Sequence, residues 1–197
     1  MTMESDDIVI IKKPETVSYE SIQTLLHTAH ESNAAKGLVY GTANQTVEQL
    51  KNTLSKDSIC FIAMNKNGKL VATGSVEFRK RSLLFMNFAI ACFGLYGVLP
   101  EYKGRKLGNK ILDKCIETSL AKGYKYIYCS TAAENNSIVR QMYEKRGFKK
   151  MDYFKAKANN FYSVRYLKWE FNSRLLEGIA NFVYAIRRFY VRETSKL

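Results

Sequence analysis

A chain of 197 residues is long enough for one domain with a full core, and 46% hydrophobic with 25% charged residues excludes the disordered and fibrous classes. Lys and Arg number 31 against 18 Asp and Glu, and the resulting charge of +13 draws anions without choosing among nucleic acid, acidic lipid, a phosphorylated cofactor or an acidic acceptor. No stretch approaches the ~20 apolar residues that cross a bilayer, and the N-terminus lacks the basic start and apolar core of a signal peptide, so the expected compartment is the cytoplasm.

Residues 8–12 read as a short strand. Ser18 can cap a helix running to about His30, with Ile22, Leu25, Leu26 and Ala29 on one face. Thr46 and Gln49 have the spacing of a capping box for a second helix ending near Leu54. Two strands, 58–64 and 69–78, flank Asn67-Gly68, a strong hairpin signal. The apolar run Leu83 to Leu99 predicts a further strand or two strand halves. From Gly108 to Leu120, apolar residues recur at helical spacing, and Gly123 closes that helix. A strand over 124–130, a helix from Ser137 to Arg146 stopped by Gly147, and strands near 150–156 and 161–170 complete the order β-α-α-β-β-β-α-β-α-β-β. Crossover helices between strands imply an α/β fold, a mixed sheet covered by helices.

Cys60, Cys92, Cys115 and Cys129 form no C-x-x-C pair and read as small buried hydrophobes. His27 and His30 lie three apart on one helix, but no third ligand is spaced nearby, so no metal site is expected. Arg79-Lys80-Arg81 and Lys149-Lys150 read as solvated faces. No nucleic-acid-binding motif accompanies the positive charge, and no nucleic-acid partner is expected.

The informative segment runs from Leu95 to Phe148. A strand ends at Pro100, and the turn Glu101-Tyr102-Lys103-Gly104-Arg105-Lys106 leads straight into a helix. Free N–H groups at a helix N-terminus bind phosphate, and Lys103, Arg105 and Lys106 add charge there. Gly104 and Gly108 let the backbone approach a bulky anion. Together these features make a pyrophosphate cradle.

Here the sequence resembles the GNAT acetyltransferase superfamily. Val98 and Pro100 match the start of its central motif, Lys103 stands at the Arg/Gln position, and Gly108 matches the last glycine; Gly104 and Leu107 are common family choices. Lys106 departs from the usual glycine. Asn136, Val139, Tyr143, Gly147 and Phe148 fit the second motif, with Val139 where alanine is commoner. The resemblance covers about residues 1–170 and implies a splayed, mixed sheet flanked by helices, with acetyl-CoA as cosubstrate and no metal.

It further implies that Val98, Lys103, Gly104, Arg105, Lys106, Leu107, Gly108, Asn109 and Asn136 bind coenzyme A. Pantetheine would lie where the strand ending at Val98 parts from the strand at 124–130, and Tyr143 would be the general acid. The family's glutamate on the strand before the cradle is missing, since 83–99 contains no Asp or Glu. Glu77, on the preceding strand, or a water chain is left as the base. Tyr40 and Asn160 fall in the segments that choose the acceptor, expected to be a small-molecule amine rather than a protein.

The implied activity is N-acetyl transfer to an amine. A non-catalytic acyl-CoA-binding module is the alternative, motivated by Lys106 and the missing acidic residue. Residues 171–197 form an addition in which 172–192 project as a helix with Leu175, Leu176, Ile179, Phe182, Val183, Ile186, Phe189 and Tyr190 on one broad face. Packing on the chain's own domain, a homodimer contact and peripheral binding to an anionic membrane all remain open for that face.

Overall fold

A computed structural model describes residues 7–35, 40–55, 57–83, 86–132, 137–155, 162–170, 174–179, 181–182 and 184–185. Local signals start the helices where expected. The Ser18 hydroxyl accepts from the Ser21 amide at 3.1 Å and starts α1, Tyr19–Ala34. Gln49 donates its amide to Thr46 Oγ1 at 3.2 Å, while the Thr46 amide donates to Gln49 Oε1 at 2.9 Å. That reciprocal box opens α2, Val47–Ser55.

Strand β1, Val9–Lys12, pairs with β2, Ser58–Met64, which turns into β3, Leu70–Leu83. The Asn65 side chain accepts from the amides of Asn67 and Lys69, closing that hairpin around Gly68 at φ 76°. The structure corrects the expected end of this strand at 78. β3 continues to Leu83 because it pairs residue for residue with β4, Met86–Val98, from Glu77↔Cys92 to Leu83↔Met86. The partner strand supplies hydrogen bonds that the basic triplet could not signal locally. Arg79 and Lys80 remain exposed, as a solvated face requires.

Helix α3, Leu107–Ala121, then β5, Tyr126–Ala132, α4, Ser137–Glu144, β6, Lys149–Lys155, and β7, Tyr162–Trp169, follow in the expected order. The seven-stranded sheet has the order β1-β2-β3-β4-β5-β7-β6, and only β4 and β5 run parallel. It is the mixed α/β architecture expected from the sequence.

Two cores form on the two faces of this sheet. On one, Ile22, Leu25, Leu26 and Ala29 of α1 meet Leu50 of α2 and Ile62, Leu95 and Leu99 of the strands. On the other, Leu107, Ile111, Leu112, Cys115 and Ile116 of α3 join Met142 and Tyr143 of α4 over Val76, Phe78, Ala91 and Ile127. Each fully buried Leu or Ile contributes about 1.5–3 kcal/mol, so these stripes hold the helices against the sheet.

Residues 174–179 are helical, as are 181–182 and 184–185. Tyr184 donates its hydroxyl to the Lys150 carbonyl at 2.5 Å and packs its ring 5.6 Å from that of Trp169. Leu175, Leu176, Ile179 and Phe182 are exposed. The apolar positions described here therefore do not pack on the chain's own domain.

Candidate active site

The sheet opens in the middle. β4 and β5 pair only over Ile90↔Tyr126, Ala91↔Ile127 and Cys92↔Tyr128. Beyond Cys92, β4 has no β5 partner among the described residues, while β5 continues alongside β7 from Cys129 to Ala132. Just past this point β4 bulges. Thr73 pairs with Gly97 but Ser75 with Gly94, so Leu95 and Tyr96 oppose Gly74 alone. Leu95 takes φ 45°, a left-handed conformation that costs a non-glycine residue about 1 kcal/mol or more. Its side chain is buried in the α1 core, which holds the strained backbone in place.

At the end of β4 the chain builds the anticipated cradle. Pro100–Tyr102 make one 3-10 turn, closed by the Lys103 amide on the Pro100 carbonyl at 3.2 Å. Gly104 turns the backbone at φ 83° with open space where a Cβ would lie. Lys106 then takes φ 59° and ψ 16° as the residue before α3, and no side chain caps the helix. The departure from glycine at Lys106 is thus accommodated by a left-handed lysine, whose side chain is exposed together with those of Lys103 and Arg105. The first amides of a helix have no partner inside it, so those of Leu107, Gly108 and Asn109 are available to an anion.

Tyr96 and Arg146, neither of which the sequence marked, shape this end of α3. A Cβ on Gly108 would come 1.9 Å from the Tyr96 hydroxyl, so glycine there admits the tyrosine. Arg146 donates to Asp113 through Nε at 2.5 Å and Nη2 at 2.8 Å, and through Nη1 to Asn109 Oδ1 at 2.8 Å and the Met142 carbonyl at 3.1 Å. This fork straps α4 to the first turns of α3. The Asn109 side chain is occupied by it, which leaves Asn109 its backbone amide for a ligand.

Tyr143 sits on the α3–α4 side of the opening, 3% exposed among Phe93, Phe148 and Tyr166. Cys129, the first β5 residue beyond the parallel ladder, lies beside the Tyr143 hydroxyl. Burial pushes the Tyr143 phenol well above its ordinary value, and the neighbouring Cys129 and Tyr96 push it the same way. The phenol therefore stays protonated at neutral pH and keeps a proton to donate.

Glu77 stands on the opposite face. Directly paired residues share a face, and Glu77, Cys92 and Tyr128 form one row across β3, β4 and β5. The neighbouring row, Phe78, Ala91 and Ile127, belongs to the α3 core. Glu77 accepts from Arg79 Nη2 at 2.5 Å, and burial raises the Tyr128 phenol while the nearby Arg165 and Ser130 pull it the other way. The row of Glu77 thus ends at the last rung before the sheet parts, with Tyr143 across the sheet from it.

His30 and Tyr40 border the same face at the bulge. His30 Nε2 lies 2.9 Å from the Tyr96 carbonyl, and Nδ1 lies 3.4 Å from Asn33 Nδ2. A carbonyl can only accept, so Nε2 carries a proton and donates it to the bulged strand. Burial first, then the charge of Lys103, hold its pKa below the ordinary histidine value. The Tyr40 ring rests 4.8 Å from that of His30, which places this acceptor-side candidate beside the bulge. Asn136 and Asn160 lie outside the described residues. The structure brings Val98 and residues 103–109 together at one end of the opening, with Tyr143 and Glu77 at its other end on opposite faces.

This geometry has known counterparts. Over 83% of its length the chain superposes on 99% of a subunit from the NatC complex bound to Gag peptide and CoA, at 15% identity and a TM-score of 0.65. It matches the ribosomal-protein-S18-alanine N-acetyltransferase of Escherichia coli at 15% identity and a TM-score of 0.60, covering 85% of this chain and 97% of that one. It matches glucosamine-6-phosphate N-acetyltransferase of Arabidopsis thaliana at 18% identity and a TM-score of 0.55, over 77% and 98% of the two chains. At this level of identity the likeness establishes the fold. The family model described as acetyltransferase (GNAT) family matches residues 22–148, from α1 through the cradle to the end of the second motif. The chain belongs to the GNAT acetyltransferase family.

Proposed function

We propose that this chain transfers an acetyl group from acetyl-CoA to a primary amine by direct attack. The observation that carries the reading is the uncapped, left-handed entry into α3, set against a stretch of β4 that has lost its parallel neighbour. The amides of Gly104 and Leu107 to Asn109, with Lys103, Arg105 and Lys106, would hold the diphosphate. The free edge of β4 up to Val98 would pair with the amides of the pantetheine arm, and Asn136 would touch that arm.

The two faces of the sheet divide the work. The amine would approach from the face of Glu77, which would take its proton directly or through water. The sulfur would depart toward Tyr143, whose phenol would donate the proton the thiolate needs. Tyr40 and Asn160 would line the acceptor side. Arg79 and Arg165 beside the Glu77 row favour a small acceptor that carries a carboxylate or phosphate besides its amine.

The test is thiol release from acetyl-CoA across amines, amino acids, amino sugars and sugar phosphates. One acceptor that releases thiol in proportion to N-acetyl product supports the reading. Calorimetry without acetyl-CoA binding would end it. One observation favours an acyl-CoA-binding module instead: Glu77 is already engaged by Arg79, and residues 83–99 carry no carboxylate. Tight acetyl-CoA binding with no thiol release from any acceptor would assign that role.

A further inference from the structure

The C-terminal segment is attached by its polar side. Tyr184 donates to the Lys150 carbonyl, and Lys149 Nζ donates to Asn181 Oδ1 while lying 4.7 Å over the Trp169 ring. The Asn181 amide turns back to the Glu177 carbonyl at 2.8 Å. With about 100° between successive residues of a helix, Glu177, Asn181 and Tyr184 share one side, and Leu175, Ile179 and Phe182 share the other. The second side is bare: Leu175 is 73% exposed, Ile179 51% and Phe182 67%, with Leu176 on its flank at 49%. A surface helix ordinarily buries its apolar stripe and wets the polar one. This one does the reverse, and a contiguous apolar stripe in water marks a docking surface.

Charge selects the occupant. The chain carries +13, so a second copy would bring the same charge to the contact, whereas an anionic surface is attracted to it. The cations are local as well as global. Arg174 is exposed at the start of the helix, and the sequence that follows carries Arg187, Arg188, Arg192 and Lys196. No helix of the described residues is long and apolar enough to cross a membrane. We infer that this face docks on the surface of an anionic bilayer, with Leu175, Ile179 and Phe182 seated among the headgroups and the chain's positive charge, Arg174 included, drawn to the lipid charge. The inference is independent of the acetyl-transfer chemistry.

Sedimentation of the full chain with vesicles tests it, comparing phosphatidylcholine alone with equal parts phosphatidylcholine and phosphatidylglycerol. Binding is expected to be roughly tenfold or more stronger to the mixed vesicles and to weaken as salt rises. Ile179→Asp and Phe182→Asp should each abolish most of it, with unchanged melting temperature because both side chains are exposed. Arg174→Glu should weaken it while leaving the apolar face intact. Binding that is absent, or equal for the two vesicles, overturns the proposal. So does a dimer in sedimentation equilibrium that Ile179→Asp dissolves, which would give the face to a second copy.

Discussion

The Tyr96 hydroxyl occupies the space where a side chain on Gly108 would begin, 1.9 Å from the Cβ position, with the ring carbons behind it at 2.7 and 2.8 Å. The bulge of β4 and the first turn of α3 are therefore packed without slack. Gly108→Ala is expected to force the half-buried tyrosine aside, costing about 1–3 kcal/mol in denaturant unfolding and weakening acetyl-CoA binding. Gly104→Ala meets open space and should lose only about 1 kcal/mol, through its positive φ. Equal losses at the two positions would contradict this account.

Replacing Tyr143 by Phe keeps the aromatic packing against Phe93, Phe148 and Tyr166 and removes only the donor. Turnover is expected to fall by about 10²–10⁴, with acetyl-CoA affinity within a few-fold of wild type. The pairing of kinetics with calorimetry is decisive, since a purely structural tyrosine would change both or neither.

His30 gives stability a dependence on acid. Burial and Lys103 lower its pKa in the folded chain, so folding favours the neutral ring. The unfolded chain takes up a proton near pH ~6.5 that the folded one resists. The contribution is full above that pH and is lost as the pH falls through the lower, folded value. The melting temperature should decline below about pH 6.5, and His30→Gln, which can still donate to the Tyr96 carbonyl, should flatten that decline. An unchanged slope in the variant would remove His30 as its source.

Arg146→Lys keeps the charge and loses the fork that reaches Asp113, Asn109 and the Met142 carbonyl together. Urea unfolding should show a loss of about 1–3 kcal/mol. Acetyl-CoA binding should weaken as well, because the strap fixes α3 beneath the cradle. Retained binding with reduced stability would confine the arginine to a role in folding.

Features set by neighbours in sequence were readable and those set by pairing were not. Ser18, the Thr46–Gln49 box and the glycines at 123 and 147 act over three or four residues, so they placed helix ends within a turn. The cradle was visible for the same reason, because its phosphate chemistry lies in consecutive residues. The bulge at Leu95 and Tyr96 depends on register against Gly74, and β3 reaches Leu83 only because β4 runs beside it. The sequence assigned no role to His30 beyond excluding a metal site, because its partner, the Tyr96 carbonyl, is a backbone atom 66 positions away. The outward turn of Leu175, Ile179 and Phe182 followed from contacts at Asn181 and Tyr184, which periodicity ranks only as polar neighbours.

The parallel ladder stops after three rungs, so half of a central strand shows one flank of peptide groups to no neighbouring strand among the described residues. Sheets commonly carry bare flanks at their outer margins, where water satisfies them and where stray chains attach. In this molecule the vulnerable margin is interior, screened by β5 from anything as broad as a folded partner. A slender guest with amides of its own would knit the two leaves, and backbone hydrogens along 93–98 would then exchange more slowly with solvent.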